Sequence, residues 1–219
     1  MKKIVLFLVA TSLLSCESHQ LNDSFILFSE AQPANVDEIT HFPQKYIGEY
    51  SFDATHKILV QSKYIILKDI DSLEMTKKEL DSIKTAELKG NKVLDKETGK
   101  LYDVRFKGDT ICWEMTNLDT IFSFDEGEVA KLFKQSIILN KEQENGVQVS
   151  CINFKGLKGK YIQLGTKKDY NYLKSKFKTN PTIIKENGDT TNVVLTFSRG
   201  DFRRLLREEG WEYESSFFK

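Results

Sequence analysis

Tyr46-Ile47-Gly48-Glu49-Tyr50-Ser51-Phe52 sets the fold class, because Tyr46, Gly48, Tyr50 and Phe52 recur at every second residue and share one strand face. Segments of the same kind follow. Ile58 to Val60 and Tyr64 to Leu67 are short continuous apolar runs, which predict strands partly buried on both faces. Asp109 to Asn117 puts Ile111, Trp113 and Met115 on one face, and Asp119 to Phe124 continues the meander. Ser136 to Glu142 and Val147 to Phe154 flank Glu144-Asn145-Gly146, whose Asn-Gly suits the positive φ of a tight hairpin. Gly90-Asn91, Glu97-Thr98-Gly99 and Gly108-Asp109 mark further turns, with a strand over Lys100 to Lys107. Lys160 to Leu164, Thr182 to Lys185, Thr191 to Phe197 and Trp211 to Phe218 complete the strands, the middle two joined at Asn187-Gly188.

Helices announce themselves by their caps. Thr76-Lys77-Lys78-Glu79 is a capping box: the hydroxyl accepts from the amide three residues on, and the acid reaches back. Leu80 and Ile83 then face inward. Thr166 with Asp169 opens a helix carrying Tyr170, Leu173 and Phe177, and Ser198 with Asp201 opens one carrying Phe202, Leu205 and Leu206. Gly210 is the natural residue just past that helix. The expected fold is mainly β, an antiparallel barrel or sandwich with two or three short helices, the last two near the C-terminus.

The chain begins differently. Met1-Lys2-Lys3, the apolar run from Ile4 to Ala10 and then Leu13-Leu14-Ser15-Cys16 form a basic start, a greasy stretch too short to span a bilayer, and a small residue. Leu13-Leu14-Ser15-Cys16 resembles the lipobox of bacterial lipoproteins. The resemblance implies cleavage before Cys16, which becomes the mature N-terminus and carries diacylglycerol and acyl (palmitate) chains. It implies export and a membrane held through lipid. The outer membrane is preferred, because residue 17 is Glu, not the Asp associated with inner-membrane retention in some bacteria. Gly48-Glu49-Tyr50 also resembles the Gly-x-Trp of the first lipocalin strand, with Tyr for Trp.

Residues 1–15 are therefore expected to be a signal peptide, and 16–40 a polar tether. Within the tether, Phe25-Ile26-Leu27-Phe28 is too apolar to stay exposed and should dock on the domain. Residues 41–219 are expected to form one β-rich domain. The alternative is a meander over 41–156 followed by a small α+β unit over 157–219. The 204 residues left after cleavage need neither disulfide nor metal to fold. Besides Cys16 there are only Cys112 and Cys151. A disulfide is possible outside the cytoplasm, but pleating points the two sulfurs to opposite faces if their strands pair, which favours free thiols.

The formal net charge is zero, which argues against a nucleic-acid binder. The charge is unevenly placed. Lys155 to Lys185 holds nine Lys and one acid, Asp169; Asp109 to Glu128 holds six acids and no Lys or Arg. These are either solvated faces or, in the basic stretch, a surface for an anionic lipid or glycan. Lys167, Lys168 and Lys174 are candidate contacts. Four of the five Arg fall between Arg199 and Arg207. Arg203 and Arg207 are i, i+4 neighbours expected to grip carboxylates or aromatic faces of the domain, or else a phosphate- or sulfate-bearing partner.

His19, His41 and His56 stand in no metal-ligand spacing, and no nucleophile elbow or phosphate loop is present. No catalytic residue, metal or cofactor is expected. The function these residues point to is a lipid-anchored envelope binding module. It would hold an apolar ligand within the β-domain or an envelope polymer on its surface. Tyr46, Tyr50, Phe52, Trp113 and Phe122 are candidates for lining such a cavity, unless they fill a core. The alternatives are an assembly subunit docking on another envelope protein, and a hydrolase whose residues converge only in three dimensions.

Overall fold

The computed structural model describes residues 25–178, 180–209 and 211–219. Leu13 to Cys16 and Gly210 lie outside the described residues. The chain runs β1 (Ile26–Phe28), β2 (Glu38–Ile39), β3 (Gly48–Ser51), β4 (His56–Val60) and β5 (Tyr64–Thr76). Then come α1 (Lys77–Ser82), β6 (Ala86–Lys89), β7 (Lys92–Asp95), β8 (Leu101–Lys107) and β9 (Thr110–Ser123). Next are β10 (Val129–Phe133), β11 (Ser136–Gln143), β12 (Gly146–Lys155), β13 (Lys158–Leu164) and α2 (Lys167–Lys176). The chain ends with β14 (Thr182–Glu186), β15 (Asp189–Leu195), α3 (Arg199–Leu205) and β16 (Tyr213–Phe218).

The strands form one open sheet of mainly antiparallel ladders, in the order β14-β15-β1-β12-β13-β16-β3-β4-β5-β9-β8-β7-β6. β11 pairs the other edge of β12, and β10 and β2 follow it. β1 and β15 are parallel neighbours. The fold is thus mainly β with three short helices, two of them near the C-terminus, as the sequence predicts. All three helices carry the expected capping boxes, at Thr76, Thr166 and Ser198.

β11 and β12 lie at the centre, and their side chains feed two cores. Ile138, Val149 and Cys151 face a core closed by β1, β15, α2 and α3, with Phe28, Leu173, Leu195 and Phe202 buried in it. Ile137, Leu139, Ile152 and Phe154 face the second core. There the sheet curls over, so that Tyr50, Ile58 and Ile65 from β3 to β5 pack against them. Burial on both faces explains the continuous apolar run Ile137-Ile138-Leu139 of β11. A third, distal cluster holds Leu80, Val93, Ile111 and Trp113 beneath α1.

Residues 25–40 fall in the stretch expected as a tether, yet much of it is built into the body. Ile26, Leu27 and Phe28 are buried in β1, as their apolarity demands. The loop after them is held by buried polar groups. Asn140 Oδ1 accepts from the Gln32 amide at 2.6 Å, and the Lys131 ammonium donates to the Ala31 and Pro33 carbonyls. A cut at residues 156/157 would pass through the β12–β13 hairpin, and β16 continues the same sheet to β3.

Two expected strands, 109–117 and 119–124, are one continuous β9, laddered to a β5 that runs on to Thr76. Lys68, Asp69, Asp71, Ser72 and Glu74 hide this extension, whose apolar Leu73 and Met75 pack only near its end, on the distal cluster.

Candidate functional site

The aromatic residues expected to line a cavity are packed instead. Tyr46 stacks on Phe154 at 4.6 Å, Tyr50 meets Phe154 and Phe217 edge-on at 5.3 Å, and Phe122 meets Phe42 at 5.4 Å. The Tyr50 hydroxyl donates to the Tyr46 carbonyl at 2.8 Å. Trp113 belongs to the distal cluster, on another part of the sheet. A row of rings at edge-to-face spacing fills the second core, so those side chains leave no ligand space among themselves. Phe52 alone of the five reaches an open cleft.

That cleft follows from a parting of strands. β16 pairs β13 along its whole length but meets β3 only at Phe218 and Ser51. β3 stops there because Asp53 folds the chain back into β4. Its Oδ1 accepts from the Thr55 amide at 2.7 Å, the Thr55 hydroxyl at 2.9 Å and the His56 amide at 2.7 Å. The start of β16 is pinned from the other side by Asp169. This buried carboxylate accepts from the Thr166 amide at 3.3 Å in the α2 capping box and from the Glu212 amide at 3.0 Å. Between the two lies a cleft of about 600 Å³, within the range of small-ligand sites.

Its floor is apolar, with Phe52, Ile58, Leu67, Ile121 and Tyr161. Its lining includes Asp53, Asp119 and Glu212 but, among the described residues, no Lys or Arg. Glu214, also at the cleft, is paired with the Lys160 ammonium. Tyr213 and Ser215 lie opposite Gln163 and Tyr161, so this wall continues the inner face of β13. Burial pushes the Tyr161 phenol up to about 12, opposed by its hydrogen bond with Ser150.

His56 Nδ1 lies 2.8 Å from Asp53 Oδ2. The Thr55 and His56 amides, then the imidazole, hold the Asp53 carboxyl well below the usual carboxylate range. A His–Asp pair is hydrolase chemistry. Here, however, the two side chains are 54% and 55% exposed. The carboxylate is spent on a turn, and a solvated pair lacks the desolvation that tunes catalytic groups. Among the described residues no group of three or more His, Cys, Asp or Glu is placed to hold a metal.

The basic candidates lie elsewhere. Lys167, Lys168 and Lys174 are exposed on α2. Arg203 and Arg207 are exposed and, among the described residues, grip neither a carboxylate nor a ring, so the contacts within the domain expected for them are not formed. The stacked arginines are their neighbours. Arg199 lies over Phe133 at 5.5 Å, and Arg204 over Phe177 at 5.0 Å with a donated bond to the Lys176 carbonyl. Helical periodicity gives an angle from the buried stripe but not what stands beside each flank, and the end of α2 stands beside Arg204. Cys112 and Cys151 are both free and buried, on strands that are not neighbours. Burial pushes the Cys151 thiol up to about 12.

No protein-family model matches the chain, and no curated protein or solved structure is significantly similar to it.

Proposed function

We propose that this chain is a cell-envelope protein, anchored by lipid on Cys16 and sorted to the outer membrane, whose β-domain binds a ligand without transforming it. The anchor rests on the lipobox resemblance, and among the described residues no helix is long and apolar enough to cross a membrane. The observation that carries the binding is the cleft beside β16: an apolar floor under Asp53, Asp119 and Glu212 with no opposing Lys or Arg. An anion entering it would meet like charge from Asp53, Asp119 and Glu212. A ligand with an apolar body and a cationic or hydroxyl-rich end is matched at both ends.

Native mass spectrometry of protein extracted from its own membranes tests this. A bound mass is expected, and Ser215→Trp, which fills the cleft from an exposed position, should reduce its occupancy at least about tenfold. Melting should stay within roughly 0.5 kcal/mol of the parent, as for other surface changes. A homogeneous ligand-free mass, with no uptake from lipid or glycan extracts, would overturn the proposal.

A second reading, an assembly subunit, has its own support. Leu101, Phe106 and Leu118 are large apolar side chains left 53%, 55% and 63% exposed on β8 and β9.

A further inference from the structure

A second, smaller depression, of about 390 Å³, lies where the β10–β11 turn meets α3, and its charge is opposite to that of the cleft. It is lined by Val36, Leu132, Phe133, Lys134, Arg199 and Arg203. Three cations therefore converge there, and no carboxylate lines it.

The cations are placed by the fold. Arg199 and Arg203 are i, i+4 neighbours on α3, a spacing at which like charges repel. Arg199 is laid over the Phe133 ring at 5.5 Å, which fixes the plane of its guanidinium while leaving its donors free for an oxyanion. Lys134 sits in the turn with φ at 59°, a left-handed conformation that Gly or Asn adopts more readily than Lys. The neighbouring Lys131 is different: its ammonium is already used on the Ala31 and Pro33 carbonyls. Local pairing thus accounts for Lys131 and leaves the charges of Lys134, Arg199 and Arg203 unbalanced.

We infer that Lys134, Arg199 and Arg203 form a site for a phosphate monoester or diester group, with the apolar part of the same molecule resting on Val36, Leu132 and Phe133. Arginine forks and a lysine point charge are the usual partners of phosphate oxygens. The shared chemistry has two sources, a lipid headgroup or a soluble phosphate ester. The site is separate from the cleft beside β16 and stands or falls independently of it.

The test uses the full chain carrying Cys16→Ser, so that no acyl chain takes it to vesicles. Inorganic phosphate is titrated while the Lys134 amide and the Arg199 and Arg203 guanidinium nitrogens are followed by NMR. Saturable shifts are expected at these three residues. They should weaken at least about tenfold in Lys134→Asn/Arg203→Gln, where Asn suits the backbone and Arg203 has no contact to lose. Lys167→Gln/Lys168→Gln should leave them unchanged. If the double variant does not fold, Arg203→Gln alone is read.

Co-sedimentation with phosphatidylglycerol vesicles, against phosphatidylcholine, separates the sources. Sedimentation that phosphate competes away and the double variant loses assigns a lipid headgroup. Saturable shifts without sedimentation assign a soluble ester. No saturable shift, shifts spread evenly over the α2 lysines, or shifts that survive the double variant overturn the site.

Discussion

Gly159→Ala is expected to lower unfolding free energy by about 3 kcal/mol, among the largest losses any single methyl can cause in this chain. Gly159 faces Phe217 across the β13–β16 ladder, and a Cβ there would overlap both the Phe217 ring and the Asn153 carbonyl oxygen. Neither can yield cheaply. Phe217 is wedged against Tyr50 at 5.3 Å, Phe154 at 5.6 Å and Phe52 at 6.0 Å. Asn153 pairs with Ser136 on one side and Lys160 on the other, so moving its carbonyl distorts a central strand. Urea denaturation measures the effect as a shift in midpoint at constant slope. A second change, Phe217→Leu, should recover part of the loss, because it removes the ring clash but not the carbonyl clash. A midpoint unchanged by Gly159→Ala would mean that Phe217 does not lie over Gly159, and the packed second core would have to be redrawn.

Cys16→Ser should abolish lipid attachment altogether. Each buried methylene holds about 0.8 kcal/mol, and a single chain binds only marginally, so the several chains a lipobox implies make the difference between anchored and free. Metabolic labelling with a palmitate analogue, together with the membrane fraction of the protein, reads this directly. Label and membrane attachment should both be lost. Label that persists on the variant would place the anchor on another residue and remove the basis for the envelope assignment.

Much of the fold is legible in the residues. Asn145-Gly146, Asn187-Gly188 and Gly108-Asp109 sit at hairpin turns, with positive φ at Asn187 and at the glycines. Thr76, Thr166 and Ser198 cap helices because each has an acid three residues on. The parts that escaped are those where chemistry and burial part company. β10 contains Lys131, whose charge disguises a strand, although its ammonium is satisfied by carbonyls from the segment before β2. The second half of β5 is a polar-rich ribbon whose apolar patch, Leu73 and Met75, lies on the distal cluster and not on the two main cores.

The candidate site is hidden for a different reason. Asp53, Asp119, Tyr161 and Glu212 share no local pattern. What brings them together is where β3 stops and β16 continues, and that depends on the Asp53 turn and on Asp169 reaching across to Glu212. The Asp-x-Thr-His sequence at Asp53 was the one local signal available for that turn. Arg199 and Arg203 are visible as part of an arginine cluster on one helix, but the third cation of the basic depression, Lys134, comes from the β10–β11 turn, which no local pattern joins to them.

Photocrosslinking in cells tests the central claim, that the cleft beside β16 is where this protein binds, most directly. A benzoylphenylalanine is placed at Ser215 in the cleft and, separately, at Leu118 on β9. The account predicts an adduct of one defined mass at position 215 that is not protein, and none at position 118. A protein adduct at position 118 with nothing at position 215 would contradict it and make the chain an assembly subunit.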